Sequence, residues 1–511
     1  MLLLDLATVA LRPAYICAAL GAYVVWMFIY ALYFSPLRNV PGSLLFRTSW
    51  IPLRVVELFG AESALMHRHY ERYGPVFVLE PHMVALCDAS DCTRVFSTHA
   101  FRKGHYYDRV EFLEPNIFFT TDPDVNSHRR RQIGPALQLR NLIQMEPTII
   151  SAGADQLLTK WNQAIDMAGP GGQARVCYFD DLLMMTFDVM TSLSFGQAHR
   201  SLMTGERHVL DMVRQCLMLV FLEEFAPIVK HPLVNWLIRP IHAQVDKFFA
   251  FIMDNINARR QLLESGAEKP KDILQEFLDA EDPDSKVHMT LSQVRTEAIV
   301  NVVAGSDTSA LTLSWTLHLL MLHPHCLKRV VDEVRSSFPA GHTIRFEEAK
   351  AKLPYLEACL YESMRVRPAS GNLPRVIPSG GATFQGHFIP GGYACAVSIA
   401  VVNSNKDAWA KHDVFDPERF LSNPDNKRRV VTFSTGVRIC PGRHLAWWSM
   451  TTALANILNS YDIALPDDAL FTPNRLGANG QPVIMPERYN IIRFPKHPSR
   501  DCIVLISKRK L

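Results

Sequence analysis

The chain has 511 residues, 48% of them hydrophobic and 20% charged, with 53 basic against 50 acidic side chains. That composition excludes a disordered chain, and a net charge of +3 excludes a protein whose whole surface is built for nucleic acid. The length allows a large buried core.

The first element is apolar. No residue between Arg12 and Arg38 carries a formal charge, and 14–34 reads AYICAALGAYVVWMFIYALYF, close to the ~20 residues a helix needs to cross a bilayer. Trp26, Phe28, Tyr30, Tyr33 and Phe34 crowd its end, as at a membrane–water boundary. A cleaved signal peptide would have a shorter apolar core, a basic start and a small-x-small site; here the start carries Asp5 and the segment runs into a Pro/Gly turn, 35–42. Residues 1–36 are therefore read as an uncleaved anchor and turn, and 37–511 as one body. Arg38, Arg47 and Arg54 on the following side favour a cytoplasmic body.

Beyond the anchor the pattern predicts a helix over 61–73 and strands over 75–80 and 83–87. Long helical patterns dominate from about 140 to 365, broken at 169–172 and 280–286. Strands are expected over 380–402, turned at Gly386 and 390–392, then a helix over 444–458 and short strands over 483–494. No repeat and no linker divides the body, so the fold class is mainly α with a minor β portion. One long helix opens on the capping-box pattern Thr290-Leu-Ser-Gln293 and meets no proline before Pro324, about 33 residues or ~50 Å. A second starts near Pro354 and must stop before Pro368.

Ten cysteines are scattered without a Cys-x-x-Cys pair, and most read as small core residues. Cys440 differs. It lies in Phe433-Ser-Thr-Gly436-Val-Arg438-Ile-Cys440-Pro441-Gly442, just before a helix, where dipole and amides favour a thiolate. Such a thiolate can be a nucleophile, a metal ligand or a haem ligand. Glu362 and Arg365 share a helix face three residues apart, with Arg419 free to join them; the plain alternative is a surface salt bridge of small worth. Mid-way along the long helix, Ala304-Gly305-Ser306-Asp307-Thr308-Ser309 interrupts an apolar run, and the plain alternative there is a Ser/Thr-bonded kink.

These four motifs, in this order and spacing, resemble those of the haem-thiolate monooxygenases, the cytochrome P450 superfamily, from the anchor to about residue 494, and most of all its fungal secondary-metabolism members. The resemblance implies the P450 fold and haem b (iron protoporphyrin IX) with Cys440 as the iron's axial ligand. It implies amide donation to the sulfur around Gly442, packing by Phe433, and propionate pairing by Arg438 and Arg375. A third propionate arginine falls on Arg130, with Arg129 and Arg131 as alternatives, and Asn126 stands where the family usually has Trp or His. Lys103 or Tyr107 reaching the haem edge is a further implication. Asp307 and Thr308 would sit over the iron, Thr308 holding dioxygen and a water and Asp307 relaying protons, with Gly305 removing the side chain where the helix must open to let oxygen and water in. Glu362, Arg365 and Arg419 would hold the cysteine loop.

The implied reaction inserts one oxygen atom of O2 into a lipophilic small molecule, a terpenoid or polyketide, with a sterol or fatty acid as the other reading. A haem-thiolate isomerase or dehydratase is the alternative activity, and the intact Asp307-Thr308 pair counts against it. Without a dinucleotide fingerprint in this chain, electrons would come from NADPH through a separate cytochrome P450 reductase, with cytochrome b5 as a second partner. The docking face would draw on 129–131, Lys427, Arg428, Arg429 and Arg443. The implied setting is the endoplasmic reticulum membrane. Phe118, Phe119, Val303, Ala304 and Leu373 are expected to line the substrate pocket, together with Ile117, Val300, Gly371 and the 483–484 region.

Overall fold

The computed structural model describes residues 13–510 except 109, 111, 112, 170, 198 and 226, so Asp5 and Arg12 lie outside the described residues. The apolar N-terminal segment is helical, and its stretch Tyr15–Phe34 is 20 residues long and almost wholly exposed, long and apolar enough to cross a membrane. The 35–42 turn follows it. Arg47 locks that turn by donating to the carbonyls of Leu37, Val40 and Gly42.

The body is mainly helical. Its axis is the helix Leu291–Leu322, 32 residues, opened by the expected capping box: Gln293 N donates to Thr290 Oγ1 at 3.3 Å and Thr290 N to Gln293 Oε1 at 3.0 Å. A polar N-cap and an unbroken run without Gly/Pro clusters make this length possible; His323-Pro324 ends it. Its C-terminal half is buried on every side, around Trp315. Helix Tyr178–Phe195 lies against it, and Thr186 Oγ1 donates to the Ser306 carbonyl at 2.7 Å. Gly305 is packed in the same seam: a Cβ there would come 2.6 Å from the Met190 thioether. The helix runs through 304–309 without interruption, so Gly305 admits Met190 rather than opening the helix.

The β portion is small. A four-stranded sheet orders Val76–Glu80, Met83–Leu86, Ala394–Ser398 and Asn372–Val376, with the last at an edge where Val376 is bridged to Arg102. One face packs Val84, Cys395 and Val397 into one core and the other packs Leu79, Ala85 and Ala396 into a second, the period-two alternation of a strand. Two expectations needed correction. The strand run over 380–402 ends at Ser398, and Ile399–Ser404 is a helical turn. A further strand, Ile503–Lys508, lies beyond the last one expected and bridges Ala174–Cys177 to Tyr461–Ala464.

Candidate active site

Helix Pro354–Val366 carries Glu362 and Arg365 to the buried side of the cysteine loop. Arg365 donates to Glu362 from Nε (2.7 Å) and Nη2 (2.8 Å), and both side chains are fully buried. Arg419 Nε adds a third bond to Glu362 at 3.1 Å, and the Asp416 amide a fourth at 2.9 Å. The remaining guanidinium hydrogens meet carbonyls, of Asn403, His412 and Val414 from Arg365 and of Ala410, Lys411 and Val414 from Arg419. This is no surface salt bridge. It reaches the cysteine loop through Asn403, whose side chain accepts from Val431 N and donates to Thr432, while Thr432 Oγ1 donates to Met364 O.

The loop closes on itself, Cys440 N donating to the Phe433 carbonyl at 2.8 Å. Gly436 makes that closure possible: its φ is +59°, and a Cβ would lie 2.6 Å from the Phe96 carbonyl oxygen. The helix Arg443–Ser460 starts immediately after. The amides of Gly442 and Arg443 and the guanidinium groups of Arg130 and Arg443 favour the Cys440 thiolate. Burial outweighs them and pushes the thiol up, against the lowering expected from the helix start.

Above the sulfur lies a cavity of about 460 Å³. Cys440, Phe433, Arg438 and Gly442 line one end; Phe118, Phe119, Val303, Ala304 and Leu373 line its walls with Ile117, Val300 and Gly371. The 483–484 region does not reach it; Tyr489, Ile491 and Ile492 take that place, because 483 and 484 pack against the main core. Thr308 lines the cavity and donates to the Ala304 carbonyl at 2.8 Å. Asp307, one residue and about 100° further back round the helix, does not line it. Asp307 is 1% exposed, with both carboxylate oxygens lacking a hydrogen-bond partner among the described residues. Burial raises its pKa to about 6, opposed by the charge of Arg214.

Of the three neighbouring arginines, Arg130 faces the cavity and donates to Ile439 O at 2.9 Å. Arg129 instead pairs with Glu297 of the long helix (3.3 Å), and Arg131 with Asp282 (2.8 Å). Arg129 is thus buried and Arg130 is turned to the cavity, which leaves Arg131, itself ion-paired, partly exposed. Lys427 likewise pairs with Glu357 and Arg428 with Asp425. Asn126 does not replace an aromatic ring by mere hydrogen-bond donation to a ligand. Its Oδ1 accepts from Arg438 Nη1 at 2.8 Å, and its Nδ2 donates to the Ile117 carbonyl at 2.8 Å. Lys103 donates to the carbonyls of Ile117 and Phe118, and Arg375 donates to Tyr107 Oη at 3.0 Å.

Sequence reasoning overlooked Glu297, which accepts from Ile117 N at 3.0 Å and lines the cavity. A carboxylate inside an apolar helical run was its available signal. Lys103, Arg130, Arg375 and Arg438 gather at one end of the cavity, with no acidic side chain ion-paired to any of them among the described residues. Arg130, Arg375 and Arg438 each keep a buried Nε without a hydrogen-bond partner among the described residues. Burial and the charges of Arg375 and Arg130 lower Arg438 to about 10, and burial with the three arginines pushes Lys103 well below its usual value. These donors fit a flat apolar group that carries carboxylates at one edge and a thiolate-binding metal at its centre; haem is such a group.

Residues 50–491 match the family model described as Cytochrome P450. The cytochrome P450 monooxygenase helB1 of Aspergillus fumigatus is 37% identical over 491 residues, which cover 95% of this chain and 84% of that protein. Its namesake helB3 from the same organism is 36% identical, covering 96% and 97%. The crystal structure of the cytochrome P450DA heme domain superposes with a TM-score of 0.74 over 88% of this chain and 94% of that one; at 19% identity the likeness is one of fold. A family model across most of the sequence, and relatives more than one-third identical along nearly all of it, leave one conclusion from a cavity already shaped for haem: the chain belongs to the cytochrome P450 family, as a P450 monooxygenase.

Proposed function

We propose that this protein is a membrane-anchored monooxygenase that hydroxylates a lipophilic secondary metabolite, a terpenoid or polyketide. Residues 1–36 anchor it in the endoplasmic reticulum, and 37–511 form one cytoplasmic haem domain. Cys440 holds the haem iron, and Arg130, Arg375 and Arg438 take the propionates with the Nε hydrogens they leave unused. When bound, haem supplies the activation of O2 that puts one oxygen atom into a C–H bond, using two electrons from NADPH through a cytochrome P450 reductase, with cytochrome b5 as an auxiliary donor.

The chain's own residues do the rest. The Gly442 and Arg443 amides share the sulfur's charge and so set how strongly it donates. Thr308 donates its hydroxyl hydrogen to the Ala304 carbonyl, so it turns lone pairs to the cavity and accepts hydrogen bonds there from water. Asp307, with its pKa raised to about 6, is present in both protonation states near neutral pH and can pass protons inward from the Arg214 side. Phe118, Phe119, Val303, Ala304 and Leu373 exclude water and orient the substrate. Glu362, Arg365 and Arg419 fix the loop that presents Cys440.

The single observation that carries this reading is the convergence, in one cavity, of Cys440, Thr308 and three arginines with unused donors. The test is a reduced, carbon monoxide-bound spectrum of the purified holoprotein. A red-shifted thiolate-type band is expected, and Cys440→Ala should abolish it. Substrate oxidation should require NADPH, reductase and O2 together; turnover with none of them would assign an isomerase or dehydratase instead.

A further inference from the structure

The cavity has a second polar end that the chemistry at Cys440 does not use. It passes the Asn372–Val376 strand and continues between that strand and the helices Ile51–Leu58 and Glu62–Tyr73. Asn372 stands three strand residues from Arg375, about 10 Å along the strand. Gly371 borders this passage and admits Tyr489: a Cβ there would clash with the Tyr489 hydroxyl, so a larger residue would drive Tyr489 away. Most of the cavity is apolar, yet Arg54, Glu57, Glu62 and Asn372 line this branch.

The local pairing leaves acceptors on the branch. Arg54 is engaged by Glu57 (2.8 Å) and Glu80. Glu62, 6% exposed, receives Asn372 Nδ2 on Oε1, which leaves its Oε2 and the Asn372 carbonyl oxygen as acceptors. A small cavity of about 10 Å³, room for one water, lies behind them against Ser63 and Arg493.

Resting on the monooxygenase reading, we propose that Glu62 and Asn372 form a hydroxyl-recognition site. The enzyme then takes lipophiles that carry an alcohol at the end remote from the carbon to be oxidised. The substrate O–H donates to the Glu62 and Asn372 oxygens while the hydrocarbon body fills the apolar cavity towards Thr308. A carboxylate would face Glu57, Glu62 and Glu80 with Arg54 already engaged. An ammonium would surrender its hydration in a branch where Asn372 already donates to Glu62 and Arg54 already pairs with Glu57 and Glu80.

The test is a spin-state titration of the ferric holoprotein with a saturated steroid alcohol, androstanol, and with its parent hydrocarbon, androstane. Androstanol should bind about 10-fold more tightly, the worth of one hydrogen bond to a charged or strongly polar group. That advantage should fall to within about 2-fold in Asn372→Leu and in Glu62→Leu, with Glu62→Gln as the milder variant and the carbon monoxide band as the check of folding in each. Equal binding of the two steroids by the wild type overturns the site. So does an advantage that survives all three variants, or no binding of androstanol by protein with a normal band. A wild type without the thiolate-type band fails at an earlier step: the haem reading falls, and this one with it.

Discussion

Buried charge lies on both sides of the cysteine loop, and the two sides are built on opposite rules. Behind the loop, every guanidinium nitrogen of Arg365 has a partner, Glu362 accepts from two arginines and a backbone amide, and Trp409 lies within cation–π reach of Arg365 and Arg419. In front of it, Arg130, Arg375 and Arg438 keep buried Nε groups without hydrogen-bond partners among the described residues, and so do both oxygens of Asp307. Desolvating such groups costs free energy that the first set recovers within the protein and the second does not. On the function proposed above, the first set is architecture and the second is chemistry, its partners supplied by a ligand or by a moving proton.

If that division holds, the largest stability loss comes from breaking the architecture. Glu362→Ala leaves two buried guanidinium groups facing each other and should cost about 3–5 kcal/mol, read as a lowered denaturant midpoint and loss of bound haem. A change below about 1 kcal/mol would show that solvent reaches the site and that the network is no anchor.

Asp307→Asn tests the other side, where function and stability should move in opposite directions. Proton relay by a positioned carboxyl is worth about 100-fold or more, so turnover should drop by about that factor. The fold should gain. The carboxyl's pKa rises from 3.8 unfolded to about 6 folded, so its ionisation opposes folding fully above pH 6 and not at all below 3.8. The asparagine variant should thus be more stable at neutral pH, by up to about 3 kcal/mol, with the difference fading as pH falls from about 6 to 4. Chemical denaturation across that range decides it. A variant less stable at pH 7 would mean that Asp307 has a structural partner after all.

The two rules also explain what the sequence could tell. Features set by local spacing were legible: the capping box at Thr290, the Glu362–Arg365 pair, the cysteine loop before its helix. Features set by distant partners were not. The strand Ile503–Lys508 is completed by Ala174–Cys177, more than 300 positions away, and no local pattern points there. Of Arg129, Arg130 and Arg131, the two outer ones are engaged by Glu297 and Asp282, carboxylates more than 150 positions away. Asp307 and Thr308 are adjacent in sequence yet face different surroundings, because successive helical residues diverge by about 100°.

Gly305→Ala asks a packing question of the same helix. Its Cβ would meet the Met190 thioether at 2.6 Å, and overpacking of that kind costs about 1–3 kcal/mol. Met190→Ala should relieve it, so the double variant should be more stable than the sum of the single effects predicts. Simple additivity would mean that Met190 already moves freely and that the glycine serves something other than this contact.

The smallest effect is expected at Asn126, which belongs to neither side alone. Its amide joins Arg438, two residues before Cys440, to the Ile117 carbonyl on the cavity wall, and Ile117 N is joined in turn to Glu297 of the long helix. Asn126→Ala removes one hydrogen bond to a charged group, from Arg438, and one between neutral groups, to the Ile117 carbonyl, which Lys103 still holds. The expected stability loss is about 1 kcal/mol. Arg438 loses its fixed orientation, however, so haem should leave the protein several-fold faster, measured by transfer to apomyoglobin. Asn126→His keeps an acceptor for Arg438 in one tautomer and should restore most of that rate. If Asn126→Ala released haem no faster than wild type, Arg438 would be held by packing alone. The amide would then belong to the architecture, and the line between the two sets of charge would have to be drawn on the other side of it.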